Sequence, residues 1–321
     1  MASMVDAAIG LRRRADSGLG VAAAVMVAAL VAAPFWLYPV FLMKALCFAL
    51  FACAFNLLIG YVGLLSFGHA LYFGWAGYLC AYAAKDWALQ PEVAVLIGTA
   101  TAAGLGLVAG AIAIRRQGIY FAMITLALAQ MMYLVALRVK LTGGEDGIQD
   151  VPRGRLFGAF DLHNELTMYA FVLVVVLGAL FLVFRVINSP FGEVLKAIRE
   201  NEQRTISLGY RTDRYKLLAF VLSATLAGVA GSLKAIVFQL ASLTDVHWTM
   251  SGEVVLMTLV GGLGTVFGPV VGAFFIVAME NYLAPLGQWV LVIQGGIFVA
   301  CVLLFRRGIV GELAHWLRVR L

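Results

Sequence analysis

The stretch PVFLMKALCFALFACAFNLLI, residues 39–59, decides the fold. It runs on without a turn signal and carries only two strongly polar side chains, those of Lys44 and Asn56. Roughly 20 apolar residues at about 1.5 Å each cross the ~30 Å hydrocarbon layer of a bilayer, and this run is that long. In lipid only helices and closed barrels satisfy every backbone group. The apolar residues here are continuous and do not alternate with period two, so a transmembrane helix is predicted.

Comparable runs continue along the chain. Helices are predicted at about Leu19–Ala33, Pro39–Ile59, Leu64–Ala84, Val93–Ile114, Ile119–Leu137, Thr167–Ile187 and Tyr215–Leu240. A long apolar region, Glu253–Phe305, follows, broken by Gly and Pro. Over the 321 residues, 63% are hydrophobic and 12% charged, against about 25% charged in soluble domains. No soluble core hides that much apolar surface. The expectation is an all-α integral membrane protein, a single transmembrane domain over 1–321 with a cytoplasmic loop at 189–214. The formal net charge of +6 is read as topology and not as nucleic-acid binding, because basic residues collect in cytoplasmic loops. Cys47, Cys53, Cys80 and Cys301 lie in apolar runs without metal-ligand or redox spacing and read as small core residues. Arg12, Arg13 and Arg14 before Gly20–Ala33 resemble the start of a signal peptide; with Pro34 after the small-residue site and a polytopic chain behind it, a retained first helix is expected.

Charge sets the predicted orientation. The N-terminal arginines, Arg115 and Arg116, the seven basic residues of Arg185–Lys216, and Arg306, Arg307, Arg318 and Arg320 mark four cytoplasmic regions. Pro34–Pro39 and Ala241–Gly252 have no basic residue and are placed outside. Arg138–Leu166, with four basic and five acidic residues, goes outside by alternation. An odd number of crossings must then lie between Ala241 and Arg306. Three fit, with turns near Gly264–Pro269 and Ala284–Gly287, which gives ten crossings and both termini in the cytoplasm; eight with a re-entrant segment is the second choice.

Within this frame, Ser189–Lys216 carries the mechanism. Ser189 suits a helix N-cap and Pro190 the first helical position. Phe191, Val194, Leu195 and Ile198 recur at helical spacing, with Glu193, Lys196, Arg199, Glu200 and Glu202 around them, and Gly209 is a natural stop. A mere connection needs only a few residues. An amphipathic helix here points to a docked partner protein or to a lipid surface, and its nearly balanced charge favours the protein. The glycines of Gly261–Gly272, among them Gly261, Gly262, Gly264 and Gly268, together with Pro269, are read as close helix packing, a hinge, or both. Polar residues inside spans need a reason: Asn56, Ser66, His69 and Thr125 are candidates for a translocation path, with a hydrogen bond between helices as the alternative for His69. Lys44 and Lys234 are expected to snorkel, and Glu253 and Glu280 to be solvated at the outer interface. His163, His247 and His315 fall in loops or the tail, so no metal site is expected. Gly104-x-Gly106-x-x-Ala109 mimics a dinucleotide fingerprint but lacks its strand, and it reads as small-residue packing, as does Gly106-x-x-x-Gly110. No lysine follows a glycine, so there is no P-loop and ATP must bind elsewhere. The echo of Phe67-Gly68 and Gly74 in Phe267-Gly268 and Gly272 is read as chance.

Several strings, in this order and spacing, resemble one family: Asn56-Leu-Leu-Ile-Gly-Tyr-Val-Gly-Leu-Leu-Ser-Phe-Gly-His-Ala through Gly77-Tyr78, Gly118-Ile-Tyr-Phe-Ala-Met-Ile-Thr-Leu-Ala, Thr142-Gly-Gly-Glu-Asp-Gly, Ala197-Ile-Arg-Glu-Asn-Glu, Tyr215-Lys-Leu-Leu-Ala-Phe-Val-Leu-Ser-Ala and Gly261-Gly-Leu-Gly-Thr-Val-Phe-Gly-Pro. The chain resembles the LivM-type permease of the branched-chain amino-acid ABC importers. The resemblance implies a bacterial inner-membrane transport subunit and not an enzyme. The chain would bind no cofactor, with ATP-Mg on two separate ATPase subunits. It would pair with a second, LivH-like permease and receive cargo from a periplasmic binding protein. It also implies that Glu193, Ala197, Arg199, Glu200, Glu202 and Gly209 form the coupling helix that fits the ATPase. Arg204, Thr205 and Ile206 depart from the small residues common there. The cargo implied is leucine, isoleucine or valine, with urea or short amides as the runner-up. An ion-coupled secondary transporter is a competing class, but no buried acid is placed mid-span for it, and no paired carboxylates or nucleophile suggest a membrane enzyme. Replacing Glu200 or Glu202 by Lys is expected to remove association with the ATPase; association retained by both variants in a pull-down would count against the implied docking.

Overall fold

The computed structural model describes residues 24–156, 158, 160–287, 289–305 and 308–316. Arg12–Arg14 and Arg306, Arg307, Arg318 and Arg320, part of the topology argument above, lie outside the described residues, as does the side chain of His315.

The chain is an all-α membrane protein. Its helices are α1 (Ala24–Phe35), α2 (Pro39–Tyr61), α3 (His69–Lys85), α4 (Pro91–Ala113), α5 (Ile119–Arg138), α6 (Glu165–Ile187), α7 (Pro190–Glu200), α8 (Glu202–Ser207), α9 (Thr212–Phe238), α10 (Trp248–Gly261), α11 (Gly268–Leu283), α12 (Trp289–Leu304) and α13 (Gly308–Trp316). Proline opens α2, α4, α7 and α11 in the first turn, where its missing N–H leaves nothing unpaired. Among the described residues, α2, α4, α5, α6 and α9 are long and apolar enough to cross a membrane. Two minimal antiparallel ribbons accompany them: β1 (Ile148–Gln149) pairs with β4 (Leu240–Ala241), and β2 (Arg155–Leu156) pairs with β3 (Phe160–Asp161).

The β1–β4 ribbon joins the 138–166 and 239–248 connections at one end of the bundle. Lys85 donates to Gln149 O there at 2.8 Å, and Arg153 donates to Val237 O at 2.8 Å. At the opposite end lie α7 and α8, with the C-terminus of α2 beneath Arg199, the α4–α5 turn beside Glu202, and the α10–α11 turn against Gly60. The 138–166 connection, placed outside by alternation, therefore shares one end with the 241–252 connection, placed outside for its lack of basic residues, and the 189–214 loop placed inside occupies the other.

The centre is α2, 89% buried, with α9 at 72%, whereas α5 is only 28% buried. Helices α3, α4 and α9 approach closely through small residues, as lipid-embedded interfaces require. A Cβ on Gly106 of α4 would stand 2.5 Å from Ala224 of α9, and one on Gly231 of α9 would overlap the carbonyl of Phe73 in α3. Gly106 is thus a packing residue, as the absence of a strand before it suggested; Gly104 faces open space.

Three expectations are corrected. The third helix begins at His69 and not Leu64, because Leu64–Gly68 is non-helical after Gly63 turns at φ +80°. The amphipathic loop is two helices and not one. Asn201 breaks it in an extended conformation and caps α8, its Oδ1 accepting from Arg204 N at 3.0 Å. Lys44 and Lys234 do not simply snorkel: Lys44 pairs with Glu280 at 3.2 Å, and Lys234 pairs with Asp245. The turns near Gly264–Pro269 and Ala284–Gly287 stand where the helices end: α10 stops at Gly261, α11 starts at Gly268, and a 3-10 turn spans Ala284–Leu286. The Phe-Gly echo has a structural counterpart, since Phe67-Gly68 precedes α3 and Phe267-Gly268 opens α11, each after a non-helical stretch.

Substituting Ala at Gly231 is expected to lower the unfolding temperature in detergent, by the about 1–3 kcal/mol that overpacking costs. Gly104→Ala, with free space around it, is expected to hold or raise stability by up to about 1 kcal/mol through helix propensity. Equal melting of the two variants would overturn this packing account.

Candidate functional site

The first cluster of buried polar groups surrounds the start of α3. Ser223, the partner of His69, stands about 11 residues, or roughly 17 Å, along α9 from Thr212, so α3 begins deep within the bundle. The first N–H groups of a helix have no intrahelical acceptor, and irregular backbone at this depth survives only where protein groups satisfy it. Here hydroxyls do so. Phe67 N donates to Thr125 Oγ1 at 3.2 Å, Gly68 N to Ser66 Oγ at 3.3 Å, and Ala70 N to Ser251 Oγ at 2.9 Å. Thr125 passes its own proton to Ala122 O at 2.9 Å.

His69 sits beside them, its Nε2 2.8 Å from Ser223 Oγ, while Ser223 donates to Ala54 O at 2.5 Å. The single hydroxyl proton of Ser223 is thereby used, so His69 Nε2 is the donor and Nδ1 carries only a lone pair. That Nδ1 has no hydrogen-bond partner, and the ring is boxed edge-to-face by Phe55, Tyr72 and Phe220. Of the two readings of His69, the bond between helices is the one the geometry displays.

Asn56 belongs to a second cluster, at the α7 end. Its Nδ2 donates to Thr265 O at 2.9 Å and its Oδ1 accepts from Gly264 N at 3.0 Å. One turn further along α2, Gly60 lies so close to the α10–α11 turn that a Cβ would stand 2.9 Å from Gly264 N. Gly262 (φ +123°) and Gly264 (φ +75°) take backbone conformations that side chains disfavour. Gly261 meets Gly268 across the turn, and Gly272 packs on Met257 O. This segment is both a tight packing site and a break.

The six predicted coupling residues divide. Glu193, Ala197, Glu200 and Gly209 are exposed, and Glu193 pairs with Lys196 at 2.9 Å on the surface. Ile206, Leu208 and Tyr210 extend this open face. Arg199 is exposed as well, but its Nη1 reaches back to donate to Gly60 O, and Glu202 is half-buried. The Glu202 carboxylate accepts from Lys216 and from Thr212 Oγ1 at 3.0 Å through Oε1, and from Gln117 Nε2 at 2.7 Å through Oε2. Lys216 is only 2% exposed. Glu202→Lys therefore tests the fold of this junction before it tests docking. Ser223, Ser251, Lys216 and Gln117 were missed. Ser223 carried the signal that singled out Ser66, a hydroxyl in an apolar run; Ser251 fell in the stretch placed outside, and Lys216 was counted only as loop charge.

The family profile described as "Branched-chain amino acid transport system / permease component" matches residues 37–302, which span both clusters and the α7–α8 face. The chain belongs to this family. It is 27% identical over 267 residues to the high-affinity branched-chain amino acid transport system permease protein LivM of Escherichia coli strain K12, covering 76% of this chain and 63% of that relative. It is equally similar, 27% over 272 residues with the same coverage, to the protein of that name from Salmonella typhimurium. The chain thus spans about 63% of the length of these relatives. An autoinducer 2 import system permease protein LsrC of Photorhabdus laumondii is 30% identical over 125 residues, 37% of this chain and 38% of the relative. No solved structure matches the chain.

Among the described residues no three His, Cys, Asp or Glu side chains converge as metal ligands would, and Cys47, Cys53, Cys80 and Cys301 are free. An apolar cavity of about 420 Å³ does lie between the unwound segment and α5, lined by Leu64, Leu65, Phe67, Ile119, Met123 and Leu126.

Lys216→Met would strand the largely buried Glu202 carboxylate, at a cost of about 3–5 kcal/mol. Adding Glu202→Gln is expected to recover most of that loss. A double-mutant cycle on detergent stability checks it; additive losses would mean the pair is not coupled.

Proposed function

We propose that this chain is a permease subunit of an ATP-driven importer, seated in a bacterial cytoplasmic membrane with both termini in the cytoplasm. It pairs with a second, LivH-like permease; two ATPase subunits hydrolyse ATP-Mg; a periplasmic binding protein delivers branched-chain amino acids. The observation that carries the reading is the α7–α8 face. It is a helical platform opposite the β1–β4 ribbon, with Glu193, Ala197 and Glu200 open to a partner beside Ile206, Leu208, Gly209 and Tyr210. A connection between two spans has no need of it. The name of the LivM relatives supports the cargo; the autoinducer 2 relative marks how far cargo varies among similar permeases.

The proposed topology has ten crossings, by α1 to α6 and α9 to α12. Of these, α3, α10, α11 and α12 have 17, 14, 16 and 16 residues; the bundle covers most of α3 and one face of α10 and α11, while α12 is mostly exposed. Asn56, Ser66 and Thr125 shape the path indirectly by holding the unwound backbone, His69 by binding α3 to Ser223 of α9, and the cavity beside Ile119 and Met123 forms part of its wall once the second permease closes it.

In a cysteine-free background, a thiol placed at Ala197 is expected to resist an impermeant reagent in intact cells while one at Gly158 reacts; the reverse pattern removes the importer reading. Glu200→Lys is expected to weaken capture of the ATPase subunits about tenfold, the equivalent of roughly 1.4 kcal/mol, with unchanged detergent melting. Uptake by the isolated chain in vesicles lacking ATP would instead establish a secondary transporter.

A further inference from the structure

Beside the apolar packing of Leu195, Ile198 and the stacked Phe191–Tyr215 pair, polar side chains tie the coupling platform to the bundle on each side of Asn201. On the α8 side, Glu202 gathers Lys216 and Thr212 from the foot of α9 and Gln117 from the α4–α5 turn. On the α7 side, Arg199 reaches the C-terminus of α2. Gly60 O, its acceptor, is among the last four carbonyls of that helix, which lack intrahelical donors, and a guanidinium is favoured there by the helix dipole. The aliphatic part of Arg199 lies on Gly63, where a Cβ would stand 3.2 Å from Arg199 Cγ; its Nη1 would be 3.4 Å from a Cβ on Gly264. One side chain therefore touches the start of the 62–68 unwound segment and the 262–267 turn at once. Asn56, one turn back on α2, fastens the same turn by two hydrogen bonds.

We propose that Arg199 is a positioning residue and not a contact to the ATPase: it locks α7 to both unwound segments, so displacement of the platform is delivered to the two breaks beside the path. Arg199 shares the open face with Ala197 and Glu200, and what sets it apart is that its guanidinium reaches Gly60 O and the side of Gly264 while its stem lies on Gly63. The glycines are part of the device. A side chain at 60 would run into Asn56 and Gly264 N of the turn, and one at 63 would crowd the aliphatic stem of Arg199. The inference rests on the importer reading and specifies which residue transmits motion within it.

The test uses the full importer complex in proteoliposomes and counts substrate taken up per ATP hydrolysed. Arg199→Ala is expected to keep the ATPase subunits bound and to lower that ratio about tenfold or more. Arg199→Lys, which retains a cation at the helix end, is expected to recover at least half of it. Loss of ATPase binding by a folded Arg199→Ala chain would make Arg199 a docking residue, and an unchanged ratio would remove its role; either result overturns the proposal. If Arg199→Ala does not fold, spin labels at Ala197 and Leu263 in the otherwise wild-type complex supply the answer. Their separation is expected to stay constant between nucleotide-free and ATP-bound states while both move relative to a label at Gly158, and separation of the first pair would overturn the proposal. A wild-type complex that does not hydrolyse ATP in step with uptake sinks the importer reading itself. A coupled wild type with an equally coupled Arg199→Ala variant sinks only the assignment to Arg199.

Discussion

A backbone that leaves the helical path inside a membrane must find its hydrogen bonds in the protein, because lipid supplies none. Among the described residues the helical path breaks within the bundle at 62–68 and, at its α7 end, in the 262–267 turn, and much of the buried polar inventory follows from those two departures. Thr125, Ser66 and Ser251 accept from the first segment and the start of α3; Asn56 and Thr265 hold the second. Each hydroxyl or amide is placed against backbone groups whose unsatisfied burial would cost about 1–3 kcal/mol. The two breaks meet at Gly60 and Gly264, where the absence of side chains lets α2 and the α10–α11 turn touch.

How much of this was legible depends on the range of the interaction that fixes it. Span positions were legible because hydrophobic length is local, and helix ends at Pro39, Pro91, Pro190 and Gly261 came with their own punctuation. The Ser189 cap and Pro190 start also followed from chain chemistry, and Ser189 does cap α7, its Oγ accepting from Gly192 N. The late start of α3 was not legible. Leu64–Gly68 is as apolar as a span should be, and only hydroxyls from α5 and α10, brought from far along the chain, show that its backbone is unwound. The break at Asn201 was hidden for the opposite reason. Asn inside an amphipathic pattern is tolerated, and its capping role appears only with the φ/ψ of the extended residue. Lys44–Glu280 spans 236 positions; no local reading of either residue predicts the other.

The packing separates a firm part of the bundle from a looser one. Helices α2, α3, α4 and α9 are drawn together by glycine and alanine contacts, with Gly231 under Phe73 and Gly228 against Ala102. These leave no room for sliding without losing dispersion contacts. Helix α5 instead shows Ile119, Met123, Met131 and Leu134 outward; it is tied to the centre by Thr125 at the unwound segment, by Met132 O, which accepts from Trp75 Nε1 of α3, and by Phe121 against Phe220 of α9. Motion of one element against the rest is therefore easiest where backbone is already non-helical and glycine absorbs the φ/ψ change, as in hinge transitions generally. The α7–α8 platform is attached at these places and to the foot of α9.

The same accounting bears on cargo selection. Asn56, Ser66 and Thr125, which sequence alone would assign to a path, direct their polar atoms at the chain's own backbone. His69 directs its donor at Ser223, and the wall between the unwound segment and α5 is apolar. An apolar wall discriminates weakly, by about 1–3 kcal/mol per methylene, whereas strong rejection of a wrong substrate needs buried hydrogen-bonding groups left free to meet the right one. In the proposed importer that wall therefore adds little to the choice of cargo. The choice between a branched aliphatic amino acid and a chemically different cargo falls to the protein that delivers it, as expected of a family whose similar permeases bear the names of unlike cargoes.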